Sequence, residues 1–161
     1  MSDTTTPAMV EPLYFEDITV GDRRASGTVT VTEEMIIAFG RSFDPQPFHT
    51  DPQAAPDTFF GELVASGWHT ASLTMRLLVD ARVLGGSPLV GAGVEAIRWP
   101  RPTRPNDVLR VETEVIERLP PGRRPDLGMI RVQIITRRAD DAVVQSMVTR
   151  MVLPRREPAS A

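Results

Sequence analysis

The sequence predicts an α+β domain in which an antiparallel sheet curves around one central helix. Three observations predict it. Residues 67–84 carry a helical pattern that is apolar around most of its circumference, and such a helix has to be wrapped by something. Downstream, Leu109, Val111, Thr113 and Val115 alternate with Arg110, Glu112 and Glu114, the pattern of a half-buried antiparallel strand. The order, helices first and then a run of strands, is that of α+β domains rather than of alternating strand–helix units. A chain of 161 residues that is 41% hydrophobic suits one domain with a real core.

The elements follow in order. Residues 1–12 are rich in Thr and Pro and are expected to be loose, as are 154–161; a single domain is expected over 13–153. Ala25 to Val31 reads as a strand. Thr32 reads as an N-cap, with Glu33 and Glu34 in the first turn to favour the helix dipole. Ile36, Phe39 and Phe43 follow at helical spacing, and Pro45 ends that helix near Phe43 or Asp44. Asp51-Pro52 reads as a further N-cap with proline at the first helical position. In the long helix from Gly67, residues His69, Ser72, Arg76 and Asp80 form one polar stripe, with Arg76 and Asp80 one turn apart. Trp68, Met75 and Val79 belong to the apolar remainder and are expected to be largely buried. Gly93 to Trp99, the 109–115 segment, Ile130 to Ile134 and Val143 to Val152 read as strands. The Pro-rich run from Leu119 to Asp126 turns between two of them.

Composition narrows the function. A net charge of −3 offers no basic field for nucleic acid. All 18 basic residues are arginine, which excludes Schiff-base lysine chemistry and a P-loop lysine. Cysteine is absent, so disulfides, thiolate nucleophiles and cysteine-based zinc sites are excluded. The first residues have neither a basic start nor an apolar run, and no stretch approaches the ~20 apolar residues of a membrane span. The expectation is a cytoplasmic protein with no membrane partner.

Chemistry concentrates in Phe43-Asp44-Pro45-Gln46-Pro47-Phe48-His49. A carboxylate and an imidazole are the side chains best suited to share a proton near neutral pH. The prolines are expected to bar a helix and to hold the pair on a stiff, extended segment. There are only two histidines, so rival bases are few. Asp51 is assigned to its cap. A metal site from His49, Asp51 and His69 is disfavoured because the spacing matches no known cage. His69 is expected to cap its helix or to meet a partner subunit. Arg101, Arg104, Arg123 and Arg124 are read as solvating two Pro-rich loops rather than gripping phosphates.

At these residues the chain resembles the MaoC-like dehydratases, the family of the (R)-specific enoyl-CoA hydratases. The run Asp44-Pro45-Gln46-Pro47-Phe48-His49 is similar to the family's Asp, any residue, Asn, Pro, aliphatic, His. Gln46 stands where Asn is usual, Phe48 where an aliphatic is usual, and Phe43 where glycine often precedes. Tyr14 to Gly21, Phe60 to Gly67, and Ile97 to Asp107 resemble three further family segments in the right order, with Asn106 where glycine is common.

The resemblance implies a hotdog fold, an antiparallel sheet wrapped around a long central helix. It implies a hydro-lyase that hydrates trans-2-enoyl thioesters to (R)-3-hydroxyacyl thioesters, with Asp44 and His49 as the catalytic dyad and Gly67 as the oxyanion and substrate-binding position. The helix-start N–H of Gly67 suits that role, because the first N–H groups of a helix lack internal acceptors. No cofactor and no metal are implied. The expected partners are an acyl-CoA or acyl-carrier-protein thioester and a second copy of the chain, as a homodimer or an oligomer of dimers. Two other readings stand beside this one: a hotdog acyl-thioesterase, and a non-catalytic acyl-binding subunit of a dehydratase complex.

Overall fold

The computed structural model describes residues 10–120 and 122–157. Strand β1 (Arg23–Thr30) is followed by helix α1 (Glu33–Phe43), a one-turn helix α2 (Pro47–Thr50) and the central helix α3 (Gly67–Asp80). Four strands complete the chain: β2 (Val90–Arg98), β3 (Val108–Leu119), β4 (Leu127–Arg138) and β5 (Val143–Pro154). Short 3-10 turns lie at Phe15–Asp17 and Ala55–Asp57. All pairings are antiparallel, in the order β1-β3-β4-β5-β2, and α3 packs on the concave face against β1, β3 and β5. No helix among the described residues is long and apolar enough to cross a membrane.

Alternation in the sequence carries through to burial. Leu109, Val111, Thr113 and Val115 of β3 point inward, and so do Ile130, Val132 and Ile134 of β4. They meet Leu73, Leu77 and Leu78 of α3, so one core lies between sheet and helix. Fully burying each such side chain contributes about 1.5–3 kcal/mol. The start of α1 follows the cap reading: the Thr32 hydroxyl accepts from the Met35 N–H at 3.3 Å.

Three expectations need correction. The segment between Asp44 and His49 is not extended throughout. Gln46 is extended, but Pro47 opens a helical turn, because proline at the first helical position loses no hydrogen bond. The central helix ends at Asp80, four residues short of Leu84, and the chain turns through Arg82 at a positive φ of 48°. On α3, Trp68, Met75 and Val79 are exposed at 61%, 46% and 50%, leaving an apolar stripe that the described residues do not cover.

Of the two segments expected to be loose, residues 1–9 and 158–161 lie outside the described residues. Pro12 bridges to Gly85, and Arg156 pairs with Asp17 at 2.8 Å.

Candidate active site

Asp44 is the C-cap of α1. Its backbone N–H closes the helix on Gly40, and its side chain leaves the helix end toward α2. The loop then returns His49 to the same place. The close approach of α2 to α1 depends on Gly40, whose missing Cβ would otherwise lie 2.5 Å from the His49 carbonyl oxygen. As a result His49 Nε2 stands 3.3 Å from Asp44 Oδ2. The imidazole is buried, and its Nδ1 lies 2.7 Å from the Val64 carbonyl oxygen. A carbonyl only accepts, so Nδ1 carries the proton. In the neutral ring, Nε2 is therefore a bare lone pair facing the carboxylate. That arrangement has room for one shared proton, or for a water that donates to both.

Asp44 is held on its other side. The Gln46 amide donates to Oδ1 at 2.7 Å, so the residue standing in place of the family's Asn supports the carboxylate. Burial pushes the Asp44 carboxyl up, but hydrogen bonds from the Ser66 hydroxyl and the Gln46 amide, with a smaller electrostatic contribution from the His49 ring, outweigh it and hold the carboxyl below its ordinary value. The buried Ser66 also caps α3, accepting from the Trp68 N–H at 3.3 Å. Sequence reasoning passed over Ser66; a serine immediately before a helix-opening glycine is the cap signal that points to it.

Gly67 is the first residue of α3, where the helix supplies no acceptor for its N–H. Together with His49, Phe48, Phe60, Thr70 and Trp99 it lines a pocket of about 430 Å³, and Asp44 stands beside that pocket against His49. A side chain at Gly67 could not fit, since its Cβ would lie 2.7 Å from the Trp99 ring. The three residues singled out from the sequence, Asp44, His49 and Gly67, thus come together.

His69 departs from expectation. It neither caps α3 nor faces solvent, but is buried and stacked on Phe39 of α1, with ring centroids 4.8 Å apart and 11° between planes. Its Nδ1 has no hydrogen-bond partner among the described residues. Burial, with a smaller contribution from His49, holds its pKa below the ordinary value, so the ring stays neutral. The expected helix at Pro52 is not formed: Asp51 is the C-cap of α2, and its carboxylate closes the turn that follows, accepting from the Gln53 N–H at 2.8 Å and the Ala54 N–H at 3.2 Å. Arg104 pairs with Glu62 at 2.6 Å and Arg124 pairs with Asp126, while Arg101 reaches the pocket. Asn106 takes φ of 69°, a left-handed conformation that asparagine tolerates, so it can stand where glycine is common.

Comparison with known proteins finds similarity over most of the chain. A family model described as MaoC like domain matches residues 16–136. A MaoC-like dehydratase from Rhodospirillum rubrum is 45% identical in sequence, with a TM-score of 0.82 over 90% of this chain and 99% of that one. The 3-hydroxybutyryl-CoA dehydratase of Methylorubrum extorquens is 29% identical over 120 residues, 72% of each chain. An R-hydratase from Pseudomonas aeruginosa, 24% identical, shares the fold with a TM-score of 0.73 over 93% of this chain and 94% of that one. The sheet and central helix are those of the hotdog fold.

Proposed function

This chain belongs to the MaoC-like dehydratase family, and from that premise we propose that it is a hydro-lyase that reversibly hydrates trans-2-enoyl thioesters to (R)-3-hydroxyacyl thioesters. The observation that carries the reading is the 3.3 Å approach of His49 Nε2 to Asp44, beside a pocket that His49 lines together with Gly67, the first residue of α3. A thioester is taken as carried by coenzyme A or by an acyl carrier protein.

The chemistry follows from the geometry. The Asp44 carboxylate and the Nε2 lone pair of His49 are both placed to accept a proton. A water held beside the pair, within reach of both groups, loses a proton to it as its oxygen bonds to C3. The C2–C3 π electrons move onto C2 and the thioester carbonyl, as an enolate. The same proton then passes from the pair to C2, which regenerates the starting site and accounts for every atom of the added water. The enolate oxygen takes a hydrogen bond from the Gly67 N–H; one such preorganised donor is worth about 3–4 kcal/mol of barrier. Water and proton reach the same face, which supports a single stereochemical outcome.

A second copy of the chain is part of this reading. The uncovered stripe Trp68, Met75, Val79 on α3 and the unpaired edge of β2 lie on surfaces that a like protomer would bury.

The test offers the purified protein crotonyl-CoA and longer or branched enoyl-CoAs. Loss of enoyl absorbance, release of free thiol and chirality of the product are followed in parallel. The expected result is an (R)-3-hydroxyacyl thioester without thiol release. Thiol release without a hydroxyacyl intermediate makes the protein a thioesterase, and an (S) product removes the assigned site geometry. Tight acyl thioester binding with neither reaction makes it an acyl-binding subunit.

A further inference from the structure

One wall of the candidate pocket is formed by side chains that the mechanism above leaves unused. The Trp99 indole lies flat over Gly67 and is half-exposed to the pocket. Its N–H donates to Gln145 Oε1 at 2.8 Å, across 46 residues of sequence. Gln145 is fully buried on β5, beneath α3. An indole N–H only donates, so this bond fixes which end of the Gln145 amide faces it. The amide NH₂ then donates to Thr74 Oγ1 at 3.1 Å. Thr74 in turn donates to the Thr70 carbonyl at 2.9 Å and meets the Thr136 hydroxyl at 2.7 Å. Beside the indole, the Thr70 hydroxyl donates to Thr103 at 3.0 Å, and both residues line the pocket.

Each of these polar groups is satisfied by another. A connected buried network is rigid, because displacing one member leaves the others unpaired in a medium that cannot solvate them. The wall beside Gly67 is therefore a fixed ring, pinned from behind, and the route between α3 and the sheet is filled with bonded hydroxyl and amide groups. An apolar acyl tail running toward this wall would have to displace the indole or desolvate Thr70 and Thr103.

We propose that Trp99, anchored by Gln145, is the residue that limits acyl length, so that the site favours short acyl groups over long ones. The proposal rests on the enoyl thioester reading of the same pocket. Trp99 is a specificity wall; it moves no proton.

The test compares crotonyl-CoA with the eight-carbon trans-2-octenoyl-CoA in the full-length wild type, Trp99→Ala, Trp99→Phe and Gln145→Leu. In parallel, calorimetry measures binding of the saturated butanoyl- and octanoyl-CoA. In the wild type, kcat/KM and affinity should both favour the four-carbon chain, kcat/KM by about 100-fold. Trp99→Ala should narrow that ratio at least about tenfold, chiefly by raising the value for the long chain. Trp99→Phe, which loses the N–H, and Gln145→Leu, which frees it, should relax the ratio in part. A wild type indifferent to length, or a ratio unmoved in Trp99→Ala, overturns the proposal. Should no enoyl thioester be hydrated, the catalytic reading fails, and the binding ratio still decides the role of Trp99. Failure to bind either saturated thioester overturns both.

Discussion

Gly40 and His49 touch backbone to backbone: the space a methyl group would need on Gly40 is occupied by the His49 carbonyl. Gly40→Ala should therefore push α2 off α1. The expected cost is about 1–3 kcal/mol of stability, typical of overpacking, with a larger proportional loss of activity because His49 moves. Urea unfolding and hydration assays measure the two. A variant as stable and as active as the wild type would mean that the contact has slack.

Asp44→Asn keeps the shape of the side chain, and its carbonyl can still accept from Gln46. It removes the charge facing Nε2. Hydration kcat should fall by about 10²–10⁴ with the circular dichroism spectrum unchanged. The double variant with His49→Ala should be little worse than either single one, because the pair acts as a unit. Independent, multiplying losses would argue against a shared proton.

Asp44 also leaves a signature in stability. Its folded pKa is lowered, so its contribution is fully present above the unfolded value near 3.9 and is lost as pH falls through the folded one. The stability gap between wild type and Asp44→Asn should be widest near neutrality and should close in acid below about pH 3.9. A gap that does not change with pH would assign the effect to packing.

His69 works through the opposite ionisation. The folded ring resists protonation, whereas the unfolded one takes up a proton near pH 6.5. Below that value the unfolded state binds more protons, so wild-type stability should drop as pH falls from about 7 toward 5. His69→Phe retains a ring against Phe39 and removes the unpartnered Nδ1. It should flatten this drop and match or exceed wild-type stability at neutral pH. Parallel curves for the two proteins would show that the ring is solvated after all.

Light scattering should give a dimer of the 17.8 kDa chain, and Met75→Arg with Val79→Arg should give a folded monomer. A dimer that persists in the double variant would take the α3 stripe out of the interface.

How much of this was legible in the sequence depended on the range of the interactions. Thr32 capping α1, the inward alternation of β3 and β4, and the Arg76–Asp80 pair at 2.7 Å are local, and their spacing announces them. The Asp44 to His49 loop was legible as chemistry but not as shape, since proline is read as a helix breaker and at Pro47 it begins a helix. Periodicity grouped His69 with Ser72, Arg76 and Asp80 in one polar stripe, whereas the structure buries it on the side of Leu73 and Leu77, stacked on Phe39. The exposed side of α3 was misjudged because an apolar stripe looks the same whether its own chain or another covers it. The Trp99–Gln145 bond, spanning 46 residues, leaves no local trace at all.

The Phe39–His69 stack joins α1 to α3, and those two helices divide the candidate site between them. Asp44 and His49 ride on the α1 side; Gly67 opens α3. The span from the Asp44–His49 pair to the Gly67 amide is thus a distance between two bodies, and the two rings are the pin of the joint. Loosening the pin and misaligning the site become a single event. A ring-current shift at His69, read by NMR, would then serve as a gauge of how well the site is assembled.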